Sequence, residues 1–270
     1  MNGSLPDPIL ALLGAATEAA ALWALLTRRP PQLLARNYRG AEVVSRGGVT
    51  FAAPLLALAL TAAVQGSAPA WLAPTVVAAA LFAALGWLDD ARGTTGVRGL
   101  RGHFTQLLRH GRVTTGLVKA VGGAGVGLGV AYAAGIEGWR VLAAGAVIAL
   151  SANTINALDA RPGRAVTAFL LGGLVAFGLA WGRPSAGAAE ALLTLLGAAG
   201  VFLWADLGER AMLGDTGANP LGAVLGITVV SLTGPTTWVV LAAVLLGFCL
   251  AADRWSLTAW LDRLSRRRAP

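Results

Sequence analysis

Runs of apolar residues dominate the chain, each close to the ~20 residues that a helix needs to cross a bilayer. Nine such runs recur, at 9–27, 49–65, 70–88, 114–134, 138–157, 165–182, 187–204, 219–233 and 235–252. The last two share one apolar stretch broken only at Gly234-Pro235. This pattern predicts an all-α polytopic membrane protein of about nine transmembrane helices. The connections at 66–69, 135–137, 183–186 and 234–235 are minimal turns, whereas the alternate loops are longer and hold nearly all the polar chemistry. Loops of that kind carry function, so the site is expected on their side of the membrane. No Ser/Gly/Pro linker divides the chain, so residues 1–270 read as one integral-membrane domain.

Two finer patterns add to this. Within 98–112, Leu100, Phe104, Leu107 and Leu108 share one helical stripe while Arg101 and Arg109 fall elsewhere, which predicts a short interfacial helix. His103 and His110 lie in it without a partner at metal-binding spacing. Gly122, Gly123, Gly125, Gly127 and Gly129 stud the fourth span, as close helix packing in lipid requires.

Composition agrees: 56% of the 270 residues are hydrophobic and only 13% charged, about half the usual globular share. The net charge of +8 raises nucleic acid as a partner, but its distribution excludes it. With the N-terminus outside and the spans alternating, 18 of the 21 basic residues fall in inner loops. Only Arg183 falls in an outer loop, with Arg140 near an outer helix end and Lys119 inside a span. That is the positive-inside asymmetry of a cell-membrane protein with its C-terminus in the cytoplasm. A nucleic-acid binder would instead gather its charge on one soluble face. The single cysteine, Cys249, rules out a disulfide framework within the chain. The first span lacks a basic leader and is followed by Arg28-Arg29, which predicts a retained anchor.

Against this background four polar clusters stand out, each at an inner helix end: Asp89-Asp90, Asn153 with Asn156 and Asp159, Asp206 with Glu209, and Asp215. Ionisable groups at membrane depth are costly and usually mark a site. Asp89 and Asp90 close a helix whose C-terminal dipole opposes them, so a cation or nearby arginines must compensate, unless they are simply a solvated stop beside Arg92. Asn153, Asn156 and Asp159 recur at i, i+3 and i+6 and run into Arg161-Pro162-Gly163-Arg164. Amides there can be plain interhelical glue, but acid, guanidinium and glycine together suit a phosphate-bearing ligand. Asp215 sits in Gly214-Asp215-Thr216-Gly217 just before a span, either capping the helix or holding a magnesium ion beside substrate phosphates.

The order of these pieces resembles the polyprenyl-phosphate N-acetylhexosamine-1-phosphate transferase superfamily, which includes the phospho-N-acetylmuramoyl-pentapeptide translocases and the undecaprenyl-phosphate GlcNAc-1-phosphate transferases. The matching blocks run from Asn37-Tyr38-Arg39-Gly40 and Arg46-Gly47-Gly48, through Gly86-Trp87-Leu88-Asp89-Asp90 and Thr115-Gly116-Leu117-Val118-Lys119. They end with Asn153-Thr154-Ile155-Asn156-Ala157-Leu158-Asp159 and Gly214-Asp215-Thr216-Gly217. The resemblance implies an enzyme that uses Mg²⁺, or Mn²⁺, to move a phospho-sugar from a nucleotide sugar to a polyprenyl phosphate, releasing a nucleoside monophosphate. It implies catalytic and metal roles for Asp89, Asp90 and Asp215, and a contact between Lys119 and the lipid phosphate. Asn156 and Asp159 would line the nucleotide side; Asn153, Arg161 and Arg164, taken from this chain's own pattern of amide, acid and guanidinium, are expected to bind the phosphate-bearing donor beside them. A homo-oligomer is compatible with all of this.

The sequence departs from that family in three places. Pro162 stands where a second carboxylate is usual, Trp204-Ala205-Asp206 replaces a Phe-Asn and Pro-Ala approach to the metal, and no histidine follows His110. These departures leave open a non-catalytic membrane protein that binds a lipid phosphate. Asp90-Ala91-Arg92 alone does not make the longer motif of the CDP-alcohol phosphatidyltransferases. A transporter would place its acids at the midplane rather than at one face.

Overall fold

The computed structural model describes residues 7–37, 39–67, 69–92, 99–180 and 187–254. Tyr38, Arg98, Arg183 and the basic tail from Arg263 to Arg268 lie outside them, as do the side chains of Arg101, His103 and Phe104. Among the described residues ten helices follow one another: α1 (Asp7–Arg28), α2 (Ala52–Val64), α3 (Leu72–Arg92), α4 (Gly99–His110), α5 (Thr115–Ala133), α6 (Trp139–Leu158), α7 (Arg164–Ala180), α8 (Ala188–Leu207), α9 (Asp215–Leu232) and α10 (Pro235–Arg254). Each of the nine apolar runs falls on one of them, and α4 is the short helix expected between the third and fourth.

Among the described residues seven helical segments are long and apolar enough to cross a membrane: α1, Gly47–Val64, α3, α5, α6, α8 and α10. The chain is an all-α, multi-pass membrane protein. The other two runs form helices of a different character. Helix α7 has 17 residues, and α9 opens on Asp215, Thr216 and Asn219, which lower its apolarity. Helix α9 tolerates this because α3, α6, α7 and α8 all pack against it. A helix enclosed by protein has no need of a lipid-compatible surface, and the polar groups of its first turns can be satisfied by neighbours. The outer surface carries the lipid-compatible side chains instead, among them Leu12, Trp23, Leu60, Leu171, Val175 and Val244, all well exposed.

Small residues set the helix spacing. A Cβ on Gly14 of α1 would lie 1.8 Å from the carbonyl oxygen of Thr194 in α8, and one on Gly197 of α8 would lie 1.9 Å from that of Ala11. Gly222 of α9 meets Ser151 of α6, and Gly127 of α5 meets Gly145 of α6, in the same way. Of the glycines expected to pack in α5, Gly122, Gly123 and Gly127 face neighbours, whereas Gly125 and Gly129 face open space. The glycine run is therefore only partly a packing device, because a continuous run covers every face of a helix and α5 has neighbours on one side.

The described residues also include a short β-hairpin. Leu34–Arg36 (β1) and Glu42–Val44 (β2) form a small antiparallel hairpin with Ala35 opposite Val43. Its turn is shaped by Asn37, whose Oδ1 accepts the backbone N–H groups of Arg39 and Ala41 at 2.9 and 3.0 Å. Asparagine is favoured in turns for this kind of bond.

Candidate active site

The C-terminal ends of α3, α6 and α8 and the N-terminal ends of α5, α7 and α9 meet at one end of the bundle, held by the segment joining α8 to α9. The backbone N–H of Met212 donates to the Val44 carbonyl at 2.7 Å, and those of Gly47 and Gly48 donate to Met212 and Leu213 at 2.9 and 3.0 Å. Asn37 Nδ2 donates to Glu209 at 2.8 Å, and Arg39 pairs with the same carboxylate at 3.3 Å. The Asp206 carboxylate accepts the Gly163 N–H at 2.8 Å. Asp206 and Glu209 are thus engaged in architecture: one holds the α6–α7 turn against α8, the other anchors the hairpin.

The expected pair Asp89-Asp90 divides between two tasks. Gly214 precedes α9 with φ +69°, a left-handed conformation that suits glycine, and it has no side chain to cap the helix. Asp90 supplies the cap from α3. Its Oδ2 accepts the Thr216 N–H at 3.0 Å and the Thr216 hydroxyl at 2.8 Å, and its Oδ1 accepts the Asp215 N–H at 3.3 Å. A carboxylate at a helix N-terminus is favoured by the dipole. The C-terminal end of α3 is compensated by Arg46, which donates to the Asp90 carbonyl at 2.6 Å and lies over the Trp87 ring at 5.1 Å. This contact depends on Gly86, where a Cβ would lie 2.3 Å from the Asp215 carbonyl oxygen. Gly86→Ala is expected to push α9 off α3 and cost about 1–3 kcal/mol, the usual range for forcing an extra carbon into a packed contact. A thermal midpoint within a degree of the parent's would show that the contact is not tight.

Asp89 turns to Lys119 instead. The Lys119 ammonium bonds Asp89 Oδ2 at 2.9 Å and also bonds Asp215 Oδ2. With its amide oriented to satisfy both neighbours, Asn156 donates to Asp215 Oδ1 at 2.6 Å and accepts from Lys119 at 3.2 Å. Residues from α3, α5, α6 and α9 thereby converge on one cation. Asp89, Lys119 and Asn156 line a cavity of about 720 Å³, which Asn153 and Asn219 also line, with Asp253 of α10. Its remaining walls are apolar, including Phe82, Gly123, Ala146, Leu150 and Leu246.

Asp159 caps the opposite side of the same turn, accepting the Gly214 N–H at 2.9 Å. Removal from water, reinforced by the charges of Asp206 and Asp215, pushes its carboxyl well above the ordinary carboxylate range. Arg161 and Arg164 flank Gly163 in the turn beside it, both half-buried. Ala205 of α8 is fully buried.

Two cavity-lining residues carried no signal of their own in the sequence. Asn219 is reached only by following α9 one turn from Asp215, whose carbonyl its Nδ2 bonds at 2.8 Å. Asp253 follows the last apolar run and reads as an ordinary exposed helix end. Among the described residues no three His, Cys, Asp or Glu side chains form a group able to hold a metal ion unaided. No protein-family model matches the chain, and no curated protein matches it.

Proposed function

We propose that this protein is a Mg²⁺-dependent phosphoglycosyl transferase. It would pass a phospho-sugar from a nucleotide-activated sugar to a polyprenyl phosphate at the cytoplasmic face of the cell membrane. The observation that carries this reading is the convergence of Asp89, Asp215 and Asn156 on Lys119, which together with Asp89 and Asn156 lines a mostly apolar cavity. Such a shape suits an amphiphile whose charged group meets charge and whose chain meets carbon. In the proposed orientation all nine apolar runs span the membrane, with the N-terminus outside and the C-terminus in the cytoplasm.

The donor set fits the metal. Magnesium is usually held by one or two carboxylates and completes its shell with water and substrate phosphates. Asp89 and Asp215 are two carboxylates already gathered on one cation, and Mn²⁺ would suit the same oxygens. When bound, the ion would neutralise charge on the reacting phosphates. The protein's share is positioning, which dominates phosphoryl transfer. A lipid phosphate oxygen forms a bond to the β-phosphorus of the donor, and the bond from that phosphorus to the nucleotide's bridging oxygen breaks. The nucleoside monophosphate leaves with that oxygen. Asp90 acts as a positioning residue, since its cap fixes the start of α9 and with it Asp215. Lys119 has three N–H donors, and Asp89, Asp215 and Asn156 accept all of them, so a lipid phosphate must take the place of one of these acceptors.

That self-contained network also supports a second reading, a lipid-phosphate-binding membrane protein without turnover. Purified protein incubated with a polyprenyl phosphate, Mg²⁺ and a panel of nucleotide sugars separates the two. Release of nucleoside monophosphate that needs both substrates is expected. Binding of the lipid phosphate with no release from any donor would select the second reading. Arg161 and Arg164 are assigned to the donor, where they would read negative charge beyond the base itself. Replacing both by Ala is expected to raise the donor KM by about tenfold, the effect of losing one charge-assisted hydrogen bond, and to leave the lipid KM nearly unchanged. Strict selectivity for a UDP-muramoyl-pentapeptide donor, unaltered in the double variant, would remove them from this role.

A further inference from the structure

Another acid lies away from the cluster. Glu18 sits within α1, ten residues before Arg28, and is fully buried, with 0% of its surface exposed. No ion pair reaches it among the described residues, and its Oε2 has no hydrogen-bond partner. Its other oxygen contacts the hydroxyl of Thr50, itself buried in the 3₁₀ turn Gly47–Phe51. The Thr50 oxygen is also 2.8 Å from the Gly47 carbonyl.

Counting hydrogens resolves this arrangement. A threonine hydroxyl carries one proton and can accept. The Gly47 carbonyl can only accept, so the Thr50 proton goes there, and the hydrogen between Thr50 and Glu18 must come from the carboxyl group. An ionised Glu18 would instead leave an anion without a countercharge, holding at most one hydrogen bond, in a place water does not reach. A protonated acid leaves only a neutral carbonyl oxygen unpartnered, which is far less costly.

We infer that Glu18 is a neutral acid that donates to Thr50 and serves as a positioning residue for the acidic site. The bonds run in one direction. Glu18 donates to Thr50, Thr50 to the Gly47 carbonyl, and the Gly47 N–H to Met212 at 2.9 Å. Beside this chain, Gly48 lies so close to Gly217 that a Cβ on it would come within 2.2 Å of the Gly217 Cα. The turn that Glu18 holds is therefore the surface on which the segment 212–217, Asp215 included, is laid. Only the activity arm of the test rests on the function proposed above.

Two variants and one spectrum test it, using the whole protein purified in detergent. Glutamine keeps a donor in the same place, so Glu18→Gln is expected to retain turnover within about twofold and the parent thermal midpoint. Glu18→Ala, which leaves Thr50 without that donor, is expected to lose about tenfold in turnover and to unfold earlier. The infrared spectrum at neutral pH is expected to contain a protonated-carboxyl C=O stretch that disappears in Glu18→Gln. A spectrum unchanged by that substitution, or a Gln variant as impaired in midpoint as the Ala variant, would overturn the inference. If the parent shows no transfer, the proposed function fails, while the infrared band and the two midpoints still decide the role of Glu18.

Discussion

Asp215→Asn is expected to lower turnover by about a hundredfold or more while the protein remains folded and extractable. Preorganised charge at a phosphoryl-transfer site is worth roughly this much, on the scale of single electrostatic contacts removed from active sites. Asparagine matches the shape of the residue and can still accept a hydrogen bond from Lys119 and bond with Asn156. The start of α9 is held by bonds from the Asp215 and Thr216 N–H groups to Asp90, and backbone groups survive the substitution. The variant therefore removes a charge and leaves the cap in place. Initial rates of nucleoside monophosphate release, read beside a thermal unfolding curve, separate the two effects. Near-parental turnover would take Asp215 out of the chemistry.

Lys119→Ala tests the same site without relying on turnover. Lys119 is the shared partner of Asp89 and Asp215, and both carboxylates are mostly shielded from solvent. Removing one partner from a buried ionic group commonly costs about 3 kcal/mol or more, because the remaining charges are left uncompensated. The variant should unfold at a clearly lower temperature than the parent. A divalent cation can replace the missing charge, and anything that binds only the folded state stabilises it, by about 2.7 kcal/mol at a hundred times its Kd. Mg²⁺ should therefore raise the midpoint of the Ala variant by more than it raises that of the parent. An equal shift in both proteins, or none in the variant, would show that Asp89 and Asp215 do not form a cation site.

Much of this protein is written in the order of its residues. The apolar runs gave the helices, because in lipid each backbone polar group must be satisfied within its own segment and a helix does this locally. The acids at 89, 90, 159 and 215 and the lysine at 119 were legible for the same reason, since charge is rare and costly beside such runs. Their partners were not legible. Whether Asp90 faces Lys119 or the start of α9 depends on Gly86 letting two backbones come together, a contact between positions more than a hundred residues apart in sequence. Asp206 and Glu209 carry the same kind of signal as the site acids, yet tertiary contacts engage them with Gly163 and Asn37. Glu18, too, is an acid inside an apolar run, but only the approach of Thr50 gives it a role. Composition and period fix which segments can lie in a membrane; which side chains then meet is decided by helix packing, where small residues set distances that no single segment contains.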